Sequence, residues 1–494
     1  MLLTDELLLH YKRCQRRAFL DLHRQHQQDP EREFQQKLRQ ESRAHAASFL
    51  AKSYPHHHHL ASSEELHDQA QATETLMQQG VDCIHRGTIL SRWPTPLDSP
   101  NPVPEITLAA KPDLLVKYPG KSRFGDWHYS SVSIQYGRRP KPEYKLIAAY
   151  QGYLLSTVQQ TKARTAQIIL RGHDRYLVNL STWLPRLQEI LQACIQSLLA
   201  TTAPEVFISR QRCNLCHWYS HCYAIAQTEK HLSLVPGVTP QRYEYLQDLG
   251  ITTVESLSEA CPMYLGELLG FGVACQLQRQ ARSLVENRPL LRNESLTPPP
   301  LPAAQIELYF DIEAEPERQV DYLLGILTVD RQTGKQQYHP FLARDPEGEA
   351  QIWQEFLALV GKYEDAPIYH YSEYETETLR RLGALYQTPR VVIEGLLARC
   401  IDLHHRVVST TVLPVESYSL KSLANWLGFQ WRDPNASGEQ SVCWYDKWLK
   451  ERDISYLEAI LRYNEDDCQA TYRLKDWLAS FYQELAAPTV PSDR

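Results

Sequence analysis

In the segment YFDIE two carboxylates, Asp311 and Glu313, stand two residues apart in an otherwise apolar run. Side chains alternate between the faces of a strand, so both acids project from one face. Two acids on an apolar surface are costly to keep ionised unless a cation sits between them. Far downstream, RYNEDDCQAT reads as helix, and Tyr463 and Asp467, four apart, share one face of it, while Asp466 points to another. A second group has metal-ligand spacing. Cys213, Cys216 and Cys222 follow a C-x2-C-x5-C pattern, and Cys14 stands about 200 residues earlier. A CxxC with a third nearby thiolate wraps one face of a metal centre, and Cys14 would close it and tie the two ends of a domain together. On ligand chemistry zinc fits as well as an iron-sulphur cluster, and His217 and His221 are substitute ligands.

The elements that must hold these residues follow from composition and period. The chain has 494 residues, 43% hydrophobic and 22% charged, with 20 Gly and 30 Pro, an ordinary globular composition. A prior of about 150 residues per domain gives roughly three domains. Eleven cysteines without an export signal argue for metal ligands rather than a disulfide framework. No apolar run reaches the roughly 20 residues that cross a bilayer, and the start lacks a signal peptide's layout, so a cytoplasmic protein without membrane contact is expected. Residues 1–230 carry 28 Lys and Arg against 21 Asp and Glu, and the remainder 24 against 38. A basic half suits a polyanion, and an acidic half can gather carboxylates around metal ions.

Helical periodicity fills the first 90 residues, and five prolines from Pro94 to Pro104 then interrupt regular structure. ITLAAKPDLLVKY, WHYSSVSIQYG and AQIILRG read as three strands, with helices at KLIAAYQGYLLSTVQQ and TWLPRLQEILQACIQSLL, an α/β pattern. Residues 229–288 read as a small all-helical module and 289–303 as a stiff Pro-rich linker. From Gln305 the pattern is strand, strand, strand, helix, strand and then helices, which predicts a mixed sheet. The run His56–His59 reads as surface loop. Arg138, Arg139, Lys141 and Lys145, with two tyrosines in the same stretch, are candidate phosphate contacts.

Several of these segments resemble known families. Cys14-Gln15-Arg16-Arg17-Ala18-Phe19-Leu20 with the terminal cysteine triplet resembles RecB-type nuclease domains that carry an iron-sulphur staple, over residues 1–228. The resemblance implies a PD-(D/E)XK-like α/β fold and a [4Fe-4S] cluster on Cys14, Cys213, Cys216 and Cys222. It places His45 and Asp113 at the first two positions of that family's site. At the third, SVSIQYG puts Ser133 and Gln135 where an acid and a lysine belong, and the next helix lacks the expected Gln near its start. Ser cannot replace an anionic ligand and Gln cannot supply lysine's charge, so the domain is expected to be degenerate. VPGVTPQRYEYLQDLGI resembles a helix-hairpin-helix unit, whose glycine turn lets backbone N-H groups approach a phosphate. That implies contacts at Gly237, Val238 and Thr239, with Gly270 and Gly272 in a second unit.

The strand D-x-E followed by the helical Y-x3-D resembles DEDD exonucleases of the RNase H-like fold, over residues 304–487. The resemblance implies two Mg2+ or Mn2+ ions held by Asp311, Glu313, Glu375 and Asp467, with Tyr463 orienting the water. Glu375, in APIYHYSEYETETL beside His370 and Tyr374, stands where Asp is usual, with Glu373 as competing ligand and Asp402 at a non-catalytic position. The whole chain resembles RecB-like nucleases fused to an RNase H-like module. The expectation is a metal-dependent nuclease cutting from a 3' end, on DNA rather than RNA, in nucleic-acid repair or processing. Two alternatives are a nuclease acting through the N-terminal domain and a non-catalytic nucleic-acid-binding scaffold.

Overall fold

The computed structural model describes residues 1–24, 26–60, 65–94, 105–293, 295 and 297–486. The proline run expected from Pro94 to Pro104 lies, from 95 onward, outside the described residues. The chain divides into two compact units, Met1–Val206 with Arg210–Tyr223, and Phe207–Ser209 with Ala224–Arg494.

The first unit runs β1 (Leu2–Thr4), α1 (Asp5–Arg13), α2 (Gln15–His23), α3 (Glu33–Ser53), β2 (His58–His59), α4 (Leu66–Gln78), β3 (Cys83–His85), β4 (Ile89–Arg92), β5 (Thr107–Ala110), β6 (Leu114–Ser122) and β7 (Gly125–Ile134). It continues with α5 (Pro142–Gln159), β8 (Thr165–Ile169), β9 (Arg175–Asn179), α6 (Leu180–Leu199), α7 (Arg210–Cys213) and the first turn of α8 (Tyr219–Thr228), whose remainder belongs to the second unit. The main sheet has the order β2-β3-β6-β7-β8-β9, and β1-β5-β4 forms a smaller one. Helix α5 starts with Pro142 at its first turn and buries nearly every residue from Leu146 to Leu155, as a helix apolar all round must. The segment ITLAAKPDLLVKY, expected as one strand, is two strands in different sheets. Pro112 has no N-H and disfavours continuation, and the Lys111 N-H turns to the Asp5 carboxylate at 3.0 Å. The four-histidine run is not all loop, since His58 and His59 pair in parallel with Ile84 and His85.

The second unit opens with α9 (Pro240–Asp248), α10 (Val254–Glu259), α11 (Pro262–Leu269) and α12 (Phe271–Glu286) around a core of Leu246, Leu257, Leu265 and Leu277. The Pro-rich segment is tied down where β10 (Leu290–Leu291) pairs with β16 (Thr411–Val412) and where the Tyr369 hydroxyl donates to the Pro302 carbonyl. Then follow β11 (Ile306–Glu315), β12 (Val320–Asp330), β13 (Gln336–Leu342), α13 (Glu349–Val360), β14 (Ile368–His370), α14 (Tyr374–Leu385), α15 (Arg390–Ala398), β15 (Cys400–Asp402), α16 (Leu403–Thr410), α17 (Leu420–Trp426), α18 (Gly438–Glu451) and α19 (Ile454–Ala486). Sheet order is β13-β12-β11-β14-β15, antiparallel on the β13 side and parallel from β11 to β15. Strand β11 is central and buried on both faces, hence its near-continuous apolar run. Its two acids therefore interrupt a core strand. No helix among the described residues is long and apolar enough to cross a membrane.

Candidate active site

The acids of β11 meet the acid of α19. Asp311, Glu313 and Asp467 each present an oxygen, and the three oxygens lie within 4.8 Å of one another. Among the described residues this is the one group of three or more His, Cys, Asp or Glu donors so gathered. Glu313 and Asp467 are buried, and Asp311 is half-buried. Burial and then its neighbours Asp467, Glu313 and Glu375 push the Asp311 carboxyl well above the usual carboxylate range. Glu313 is raised by burial and Asp467. Asp467 is pushed up to about 7 by burial, although hydrogen bonds from Trp431 and Tyr463 pull the other way. Three carboxylates this close repel one another when ionised, and an all-oxygen donor set is the one hard divalent cations take. The residues fit Mg2+ or Mn2+.

Side chains from distant segments hold these acids in place. Asn464, fully buried, donates through Nδ2 to Asp311 Oδ2 at 2.7 Å and also reaches Glu313. Its Oδ1 accepts from Tyr338 at 2.7 Å. Ser441, whose Oγ lies 2.7 Å from the Tyr322 hydroxyl, hydrogen-bonds Glu313. Trp431 Nε1 donates to Asp467 Oδ1 at 2.7 Å. Space for the Asn464 amide exists because Gly325, paired directly with Asp311, has no side chain; a Cβ there would lie 1.6 Å from Asn464 Oδ1.

Tyr463 hydrogen-bonds Asp467 and stays protonated, its hydroxyl raised well above its ordinary value by burial and by Asp467, Glu313 and Asp311. Glu375 opens α14 and is buried; it accepts from Ser372 Oγ at 2.9 Å and lies 3.5 Å from His370 Nδ1. It acts electrostatically on Asp311 but stands outside the group of three. Glu373 is exposed at the start of the same helix, lining an open groove with His370, Arg380 and Arg406. Asp402 caps α16 by accepting the His405 N-H at 3.1 Å. Asp466 does face elsewhere, held by Arg432 Nε at 2.8 Å.

In the first unit Asp113 Oδ2 accepts the Ile134 N-H at 2.6 Å, and burial pushes its carboxyl up to about 6. Ser133 Oγ donates to Gln151 Oε1 at 2.7 Å, and Gln151 Nε2 donates to Asp5 Oδ2 at 3.1 Å. Asp5 and Gln151, which sequence spacing did not single out, thus stand beside Ser133. The Gln135 N-H is spent on Ile169 O at 2.8 Å. His45 packs instead with His173 and Tyr136, at ring distances of 5.3 and 5.8 Å. Arg138 and Arg139 are exposed after β7. Lys141 lies over Tyr144, Lys145 over Tyr176 and Arg171 over Tyr136.

Of the four thiols, Cys14 sits between α1 and α2, and Cys213 ends α7 and accepts the Cys216 N-H through its carbonyl at 3.0 Å. Cys216 and Cys222 pack against Phe19, Leu20 and Trp218. Burial raises both thiols, and Cys14 adds to it in each case. Asp21 ties the same ends together, 2.6 Å from both His10 Nδ1 and His217 Nε2 and accepting from Trp218 Nε1 at 2.8 Å. In the helical module, Gly237 takes φ +93° and Thr239 Oγ1 caps α9. The Val238 N-H donates to Val235 O at 3.1 Å. Gly270 takes φ +81°, and a Cβ at Gly270 or Gly272 would meet nothing within 4 Å.

Residues 308–479 match the family profile described as the RNase_H superfamily. The C-terminal domain is RNase H-like, a kind of domain that acts on nucleic acid with divalent metal. No curated protein sequence matches the chain.

Proposed function

We propose that this protein is a metal-dependent phosphodiester hydrolase acting through its C-terminal domain, as an exonuclease of the DEDD type that removes nucleotides from a 3' end. The observation that carries the reading is the convergence of Asp311, Glu313 and Asp467 within 4.8 Å inside an RNase H-like domain. Asp311, Glu313 and Asp467, with Glu375 alongside, would hold two Mg2+ or Mn2+ ions. Such ions supply an activated water and neutralise charge on the leaving oxygen. In the reaction water attacks phosphorus, the phosphorus–O3' bond of the next nucleotide breaks, and the leaving oxygen takes a proton. Tyr463, protonated and fixed to Asp467, orients the attacking water. Asn464, Ser441 and Trp431 keep the carboxylates aimed.

The N-terminal unit would hold the strand rather than cut it, as a degenerate RecB-like domain of a cytoplasmic repair or processing protein whose substrate is DNA rather than RNA. The pairing of Arg171, Lys141 and Lys145 with tyrosine rings supports this, since cations beside aromatic faces suit phosphates and unstacked bases. The turns at Gly237 to Thr239 and at Gly270 would add backbone phosphate contacts. Cys14, Cys213, Cys216 and Cys222 would carry a [4Fe-4S] cluster. No three of these thiols come within 4.8 Å. Zinc is the alternative occupant, since four thiolates suit either centre.

The test is hydrolysis by the purified protein with Mn2+. Asp311→Ala is expected to abolish it, and unchanged cleavage by that variant overturns the assignment.

A further inference from the structure

The four-histidine run meets a fifth histidine on the neighbouring strand. His59, on the edge strand β2, pairs in register with His85 on β3, and the two Nδ1 atoms lie 3.0 Å apart. His57 stands just before this strand. Its ring centroid is 5.2 Å from that of His85, and the His59 and His85 centroids are 5.1 Å apart. Two imidazoles on one tetrahedral ion with metal–nitrogen bonds of about 2.05 Å have donor nitrogens about 3.3 Å apart and ring centroids about 5.2 Å apart. Both pairs have the required ring spacing, and the first pair nearly has the donor spacing as well.

We propose that His57, His59 and His85 form a site for a borderline divalent transition-metal ion of the Zn2+ class, which staples the edge strand β2 to the sheet of the first unit. His59 and His85 supply the preformed pair. His57 completes it by turning its half-exposed side chain, since its donor atom is not yet within 4.8 Å of both partners. Its Nδ1 now lies 2.8 Å from the Tyr54 carbonyl, a hydrogen bond that this turn exchanges for the metal. The site has structural work to do, because a two-residue edge strand is too short to hold itself by backbone pairing alone. The open ligand position left by three histidines takes water.

The test is Zn2+ titration of the full-length protein against a chelating indicator, with melting temperature read with and without Zn2+. His85→Gln and His59→Gln are each expected to remove one equivalent, weakening its binding at least tenfold, and to abolish the Zn2+-dependent rise in melting temperature. His56→Ala with His58→Ala, on the outward positions, is expected to leave both unchanged. Co2+ at this equivalent should show an imidazole spectrum without thiolate charge transfer, which separates it from the cysteines. If His85→Gln keeps the equivalent, or if the His56, His58 double variant loses it, binding belongs to the run of exposed histidines as an adventitious ion only, and the proposal is overturned.

Discussion

Gly325→Ala tests how the carboxylates are held without touching any of them. A Cβ at this position would lie 1.6 Å from Asn464 Oδ1, 2.8 Å from Asn464 Cγ and 3.1 Å from the Tyr338 hydroxyl. The backbone of β12 and the long helix α19 cannot both yield, so the amide must swing away. It then loses its hydrogen bonds to Asp311 and Tyr338. Overpacking of this kind costs about 1–3 kcal/mol. The restricted unfolded chain returns about 0.4–1 kcal/mol, which leaves a net loss of about 1–2 kcal/mol. The larger effect falls on metal: removing an outer partner of a ligating group typically costs 10–100-fold in affinity. Mn2+ titration followed by the free-ion EPR signal, beside urea unfolding, reads both quantities. Adding Asn464→Ala should recover stability, because the clash is gone, but not Mn2+ affinity, because the donor is gone. Wild-type Mn2+ affinity in Gly325→Ala would refute the reasoning.

Trp431→Phe removes the indole donor to Asp467 while keeping an aromatic ring; Mn2+ binding should weaken about tenfold and unfolding free energy fall by about 1–3 kcal/mol. Lys475→Met takes from Glu307 the cation that holds its two oxygens at 2.7 and 2.9 Å and leaves it Arg331 Nε at 3.6 Å and the Tyr309 hydroxyl at 2.7 Å, so a loss of about 1–3 kcal/mol is expected, largely recovered by adding Glu307→Gln. Asp21→Asn should destabilise the protein by about 1–3 kcal/mol at neutral pH. Burial opposes ionisation of Asp21, but hydrogen bonds from His10, His217 and Trp218 outweigh it and hold the carboxyl well below its usual range. A depressed pKa gives stability that is full above the unfolded value and is lost as pH falls through the folded one, so the difference between wild type and variant should begin to shrink below about pH 4 and close only in much stronger acid.

The acids that converge were legible because period alone places them: Asp311 and Glu313 on one strand face, Tyr463 and Asp467 on one helix face. The groups that aim them were not. Asn464 acquires its meaning only from Tyr338 and Gly325, and Trp431 only from the fold that brings it to Asp467. No local pattern records such pairings. Long elements such as α5, α6, β11 and β12 followed from their apolar runs, whereas β9 and β15, five and three residues long, exist through their neighbours in the sheet. The break between β5 and β6 was written in Pro112, although its consequence, two strands in separate sheets, depends on Asp5 far upstream. Likewise His85 gives the histidine run its partner from 26 residues away.

Cleavage through the C-terminal carboxylates is read by incubating end-labelled single- and double-stranded DNA and RNA with the protein and Mg2+ or Mn2+, comparing wild type with the Asp311→Ala, Asp467→Ala double variant. The expected result is a ladder that shortens from the 3' end with wild type and is absent with the variant. A ladder that persists in the double variant would contradict the account and move the chemistry to Asp113 and its neighbours in the first unit.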